Sequence, residues 1–263
     1  MVEVTFAQLQ GWLVAFLWPF IRLSSFFVAS PLLGHSSIPN QVKIALAALL
    51  TLIVAPGIGP LPAVPLVSWA GLGIIIEQML IGLSMGLIMH ILFAAVQAAG
   101  EFIGLQMGLA FATFFSPDTG ANTMILSRLL YMITLLFFLA LDGHLLLIQI
   151  LANTFTSLPI GIAGLPNLGA FDLLARFGST IFFSGMLLAL PVMASLLTIN
   201  LSLGILNRAA PQLTVFSVGF PLTLTMGIFL LMILMTDLGS FLERLFSHGL
   251  GFMQQFVEAL APF

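Results

Sequence analysis

Gln106-Met107-Gly108-Leu109-Ala110-Phe111-Ala112-Thr113-Phe114-Phe115-Ser116-Pro117-Asp118-Thr119-Gly120-Ala121-Asn122 interrupts a chain built otherwise of long apolar segments. Three phenylalanines stand among small residues and run into Ser-Pro-Asp-Thr-Gly. Proline fixes φ there and glycine opens φ > 0, so the run is a turn signal. Within hydrocarbon, irregular backbone is tolerated only where protein or water covers its polar groups. The stretch therefore reads in two ways: as an ordinary loop, or as backbone that lines or blocks a path walled by protein.

The composition around it sets the class. Of 263 residues, 60% are hydrophobic and 6% are charged, and mean hydropathy is +1.22. A soluble domain carries about 25% charged residues. This chain cannot cover itself with a polar surface, so an all-α, polytopic, integral-membrane-type fold of helical hairpins is expected. Six Lys and Arg residues, spread singly, make no basic patch and leave nucleic-acid binding without support. The absence of cysteine excludes disulfides and thiolate metal sites. The start, Met-Val-Glu-Val-Thr-Phe, lacks the basic region of a cleavable signal, so the first apolar segment is expected to remain as a membrane helix.

That first segment, 8–33, carries Arg22. A cation inside a span snorkels or pairs, and Glu77 in the third segment is the candidate partner. Trp12 and Trp18 mark a possible interface belt. Pro31, Gly34 and Pro39 punctuate the first loop, and Lys43 opens a second segment reaching residue 54. Pro56, Gly57, Gly59, Pro60, Pro62 and Pro65 then make a rigid turn. The third segment, 66–108, has no proline. A helix of that length overshoots a hydrocarbon core of about 30 Å, so it must tilt, bend, or leave the bilayer inside an assembly. Gly82 and Gly86 lie four apart, as do Gly100, Gly104 and Gly108, so each set smooths one helix face for close packing.

Beyond the opening stretch, Asp142-Gly143-His144 interrupts the segment 123–158. The triplet is either half of a proton relay or a plain helix break. Pro159, Gly161, Gly164, Pro166 and Gly169 form a linker that divides the chain into 1–165 and 166–263. The second part reads as a helical hairpin: a segment over 171–206, the turn Asn207-Arg208-Ala209-Ala210-Pro211-Gln212, and a segment over 213–235. Kinks are expected at Pro191 and Pro221. A separate tail, 238–260, sets Leu238, Leu242, Leu245, Phe246, Met253 and Phe256 on one stripe against Glu243, Arg244, His248 and Glu258. Lacking a basic polar face, it fits packing against protein. Lys43, Arg128 and Arg208 on one side, against Arg176 and Arg244, place the 207–212 turn in the cytoplasm.

No phosphate-binding loop, zinc-protease helix or nucleophile elbow occurs. His35, His90, His144 and His248 have no ligand spacing, so no metal, no cofactor and no enzymatic role are expected. Three functions compete: a channel subunit for protein export, a proton-coupled transporter or permease using Arg22, Glu77, Asp142 and His144, or a structural membrane anchor. A transporter commonly shows two related halves, and these halves differ in length and pattern.

Four blocks decide among these by likeness: Arg22 through Pro31, Gly34 and Pro39 to Lys43; Ala99-Gly100-Glu101-Phe102-Ile103-Gly104-Leu105-Gln106-Met107-Gly108; Asp142-Gly143-His144 with Pro159; and Gly204-Ile205-Leu206-Asn207-Arg208-Ala209-Ala210-Pro211-Gln212-Leu213 ending at Gly219-Phe220-Pro221-Leu222. Together they resemble the FliR/SctT family, the R subunit of the bacterial flagellar and type III secretion export gate, in its flagellar branch. The Ser116-Pro117-Asp118 order departs from the Asp-Pro order of relatives, so Asp118 receives no role. The resemblance implies a single copy in a helical assembly with P and Q subunits, 1–165 being P-like and 166–263 Q-like. It implies the flagellar basal body in the bacterial inner membrane, and contact with membrane lipid. Gln106, Met107, Gly108, Phe111, Phe114, Phe115 and Pro117 would belong to a plug across the path of unfolded export substrates. Asn207, Arg208, Pro211 and Gln212 would face the B substrate-switch subunit, with the A export subunit as a further partner.

Overall fold

The computed structural model describes residues 6–35, 37–59, 61–62, 64–109, 125–161, 167, 169–209 and 219–261. Among them the chain is all-α. The helices among these residues are α1 (Phe6–Ala29), α2 (Asn40–Val54), α3 (Trp69–Gln106), α4 (Ile125–Ala140), α5 (Gly143–Ser157), α6 (Gly169–Phe177), α7 (Thr180–Ala209) and α8 (Phe220–Leu260). A 3-10 turn over Ala55–Gly57 follows α2. Among the described residues, five spans are long and apolar enough to cross a membrane, with α6 and α7 taken as one. They become six if α4 and α5, bent by 69° at their break, are also counted as one.

Proline and glycine set most helix ends. Pro31 disfavours helical geometry at the residue before it, and α1 stops at Ala29. Pro39 stands immediately before α2, and Pro56 turns the chain out of it. With no proline inside, α3 runs unbroken for 38 residues, roughly 57 Å. The segment expected over 171–206 is two helices, because Gly178-Ser179 closes α6 and Ser179 accepts the first amides of α7, from Phe182 and Phe183. Pro221 is the second residue of α8, preceded by a π-helical Gly219, and the residues before Gly219 lie outside those described. The expected hairpin arm and separate tail are one helix of 41 residues.

The chain forms two compact units, each assembled from separated parts of the sequence. One comprises 1–90, 142–178 and 248–263. In it α3 lies so close to α1 that a Cβ on Gly82 would strike the Arg22 carbonyl. One on Gly86 would sit 2.5 Å from Ala29 Cβ and 2.9 Å from the Phe26 carbonyl. Trp18, Phe27, Ile81, Met85, Ile88 and Met89 fill this core. The rings of Phe177 and Phe252 stack at 3.9 Å, seating α6 on the end of α8.

The other unit comprises 91–141 and 179–247. Phe93, Phe138 and Phe246 meet pairwise at 4.9–5.8 Å, edge or tilted, a favourable aromatic geometry. A Cβ on Gly100 would lie 2.5 Å from Ser127 Cα, and the Ser127 hydroxyl donates to the Gln97 carbonyl at 2.9 Å. The expected stripe of α8 is its buried face: Leu238, Leu242, Leu245 and Phe246 in this unit, Met253, Phe256, Val257 and Leu260 in the other. Glu243, Arg244, Ser247, His248, Gln254, Gln255 and Glu258 are exposed.

Candidate functional site

The opening stretch begins as a helix cap. Gln106 is the last residue of α3. The Gly108 amide donates to the Leu105 carbonyl at 3.1 Å, and the Leu109 amide reaches back to the Gly104 carbonyl at 3.0 Å. With Gly108 at φ 84°, this is a Schellman motif whose left-handed residue must lack a Cβ. The tandem glycines thus have distinct roles. Gly100 receives α4, Gly104 supplies the capped carbonyl, and Gly108 makes the turn. Met107 is buried, with its side chain against Gly227 of α8. The residues expected to plug a path, Phe111, Phe114, Phe115 and Pro117, lie outside the described residues.

Arg22 is fully buried, yet it does not pair with Glu77: among the described residues no ion pair joins them. The neighbouring Gln78 takes that place. Arg22 Nε donates to Gln78 Oε1 at 2.7 Å. Nη1 donates to the Thr154 carbonyl and hydroxyl, both at 3.0 Å, and Nη2 to the Leu158 carbonyl at 3.0 Å. The guanidinium also sits 4.3 Å over the Phe155 ring. Thr154 and Leu158 bracket the C-terminus of α5, where unpaired carbonyls and the helix dipole concentrate negative charge. That terminus does what a carboxylate was expected to do. Glu77 itself is half-buried. Two donors of this region, Trp18 Nε1 and Gln78 Nε2, are buried without partners among the described residues.

The Asp142-Gly143-His144 triplet is a helix break. Asp142 adopts φ 53°, a left-handed turn that aspartate tolerates better than most residues, and its exposed side chain makes no cap bond. No hydrogen bond joins it to His144, whose Nδ1 is buried without a partner among the described residues. Asn207 and Arg208 occupy the last turn of α7, Arg208 exposed, and Pro211 and Gln212 lie outside the described residues. Elsewhere, Lys43 Nζ donates to the Gly34 carbonyl at 3.0 Å and closes the first loop. No group of three or more metal-ligating side chains occurs among the described residues. The contributions of Gln78, Thr154 and Gly227 were missed in sequence. A polar residue adjacent to an expected ligand was the available signal for Gln78; nothing local marked the other two.

The family model for bacterial export proteins, family 1, matches residues 13–249. The flagellar biosynthetic protein FliR of Pectobacterium carotovorum is 48% identical over 241 residues, 92% of each chain. That of Escherichia coli K12 is 45% identical over 260 residues, 99% of each chain. That of Bacillus subtilis is 35% identical over 236 residues, covering 89% of this chain and 90% of the relative.

Proposed function

The chain belongs to family 1 of the bacterial export proteins, in the flagellar FliR branch, and on that premise we propose that it is the core channel subunit of the flagellar protein export gate. As a component of the flagellar export apparatus it works within a multi-subunit membrane assembly. In the finer reading it has no enzymatic role and joins P and Q subunits in the inner membrane at the basal body. Residues 1–165 then resemble a P subunit and 166–263 a Q subunit. The 106–122 stretch plugs the path of unfolded substrates, and the 207–212 turn meets the B subunit, with the A subunit nearby.

The observation that carries this reading is likeness over nearly the full length, 99% of both chains in one case, to proteins named for flagellar biosynthesis. The cap at Gly108 supports the plug: it ends a long, tightly packed helix at the root of the 106–122 stretch. Two measurements test the proposal. The chain should purify with other export subunits; recovery as a stable monomer that moves a small solute into liposomes overturns the channel role. Deleting residues 108–119 should make the assembled gate leak ions, and unchanged permeability removes the plug.

A further inference from the structure

The contacts of α3 stiffen unevenly along its second half. At Gly100 the packing is backbone on backbone: a Cβ would lie 2.5 Å from Ser127 Cα and 2.8 Å from Ser127 N. At Gly185 of α7, a Cβ would lie 2.8 Å from the Ala95 carbonyl. Main chain cannot yield locally, so these two crossings are fixed. The last crossing differs. The atoms nearest to Gly227 of α8 belong to the Met107 side chain, whose Cγ and Cε lie 2.6 Å and Sδ 2.8 Å from where a Cβ on residue 227 would stand. A methionine side chain is unbranched and repacks at little cost.

The groups beside this contact are satisfied without it. The Thr223 hydroxyl lies 3.4 Å from the Met107 carbonyl and 3.1 Å from the Phe220 carbonyl of its own helix. The first contact is long and weak, and the second survives if α3 moves away. Both bonds of the Gly108 cap are internal to α3 and its continuation. Separating the end of α3 from α8 therefore withdraws a soft side chain from Gly227 and leaves in place the Gly108 cap and the Thr223 bond to Phe220.

We propose that Met107, seated in the side-chain-free notch at Gly227 and backed by Thr223, is a releasable latch that positions the root of the plugging stretch on α8, and that export requires it to disengage. The inference rests on the plug reading of 106–122. It adds Gly227 and Thr223 as positioning residues and makes the start of α8 the element that holds or frees the root.

Because the chain contains no cysteine, a single introduced pair can test the latch. In Met107→Cys with Gly227→Cys, the sulfur at 107 takes the place of the methionine Cγ, 2.6 Å from the Cβ position at 227, within small adjustment of disulfide geometry. The pair is placed in the full gate in cells, oxidised, and export of flagellar substrate is measured before and after reductant. A disulfide that lowers export at least tenfold, restored by reductant and absent in either single variant, is expected. A disulfide that lowers export less than tenfold overturns the latch, and so does failure to crosslink in an assembled gate. If the pair does not assemble, Met107→Ala decides, because it removes the latch and leaves the cap. Ion leak between that of the native gate and that of the 108–119 deletion is expected, and a native-like leak overturns the proposal. The two readings fail separately: a silent deletion removes the plug, whereas a leaking deletion with unimpeded export through the crosslinked gate removes only the latch.

Discussion

Replacing Arg22 by Met keeps a long apolar stem and removes the charge and every donor. Of the four acceptor contacts, two have other bonds: the Thr154 carbonyl keeps the Leu158 amide at 2.8 Å, and the Thr154 hydroxyl still donates to Leu151 at 2.6 Å. The other two, Gln78 Oε1 and the Leu158 carbonyl, lose their partner in a region where Gln78 and Arg22 have no solvent exposure. A buried unsatisfied acceptor costs about 1–3 kcal/mol, so the pair costs about 2–6 kcal/mol. Relief from burying a cation offsets part of this, leaving about 3 kcal/mol. At about 1.4 kcal/mol per tenfold, local opening at the end of α5 should rise about a hundredfold. Hydrogen exchange at the Leu158 amide, in the solubilised gate, reads this directly. Glu77→Gln is the control and should change exchange less than threefold, because Glu77 makes no bond to Arg22. Exchange in Arg22→Met within threefold of native refutes the reasoning. An equal effect from Glu77→Gln restores the carboxylate pair.

Two shorter predictions concern α3 and the α4–α5 break. Gly82→Ala places a Cβ into the Arg22 backbone carbonyl, which cannot rotate away. It should cost about 1–3 kcal/mol and reduce recovery of the chain with its partner subunits, measured by co-purification against native. Asp142→Asn should leave export within twofold of native, because the side chain is exposed and unbonded and asparagine tolerates the same left-handed backbone. Loss of export in that variant returns Asp142 to a proton pathway.

Local punctuation made much of the helix plan readable. Pro31, Pro39 and Pro56 set ends where steric rules require them, and the apolar stripe of 238–260 is the buried face of α8. Other features depended on distant neighbours. Gly178-Ser179 breaks a run whose apolar residues continue on both sides, so hydropathy passed over it. For the site, the buried cation was legible but its counter-charge was not. A helix C-terminus 132 residues away leaves no mark on residue type. The spacing of Gly100, Gly104 and Gly108 showed a common face, yet packing, hydrogen bonding and chain reversal divide those roles one glycine at a time.

The continuity of α8 makes its length a constraint. Its buried positions, Leu238, Leu242, Leu245, Met253, Phe256 and Leu260, keep one phase along the helix. Inserting a single residue near position 243, within one compact unit, would turn the helix beyond it by about 100° and shift it by about 1.5 Å. Leu245 and Phe246 would then leave their packing while Leu238 and Leu242 stayed in theirs. Surface loops commonly tolerate gained or lost residues, a freedom this protein lacks along α8. Its longest helix can change length only by steps that restore the angular phase, so in α8 the residue count is itself part of the fold's specification.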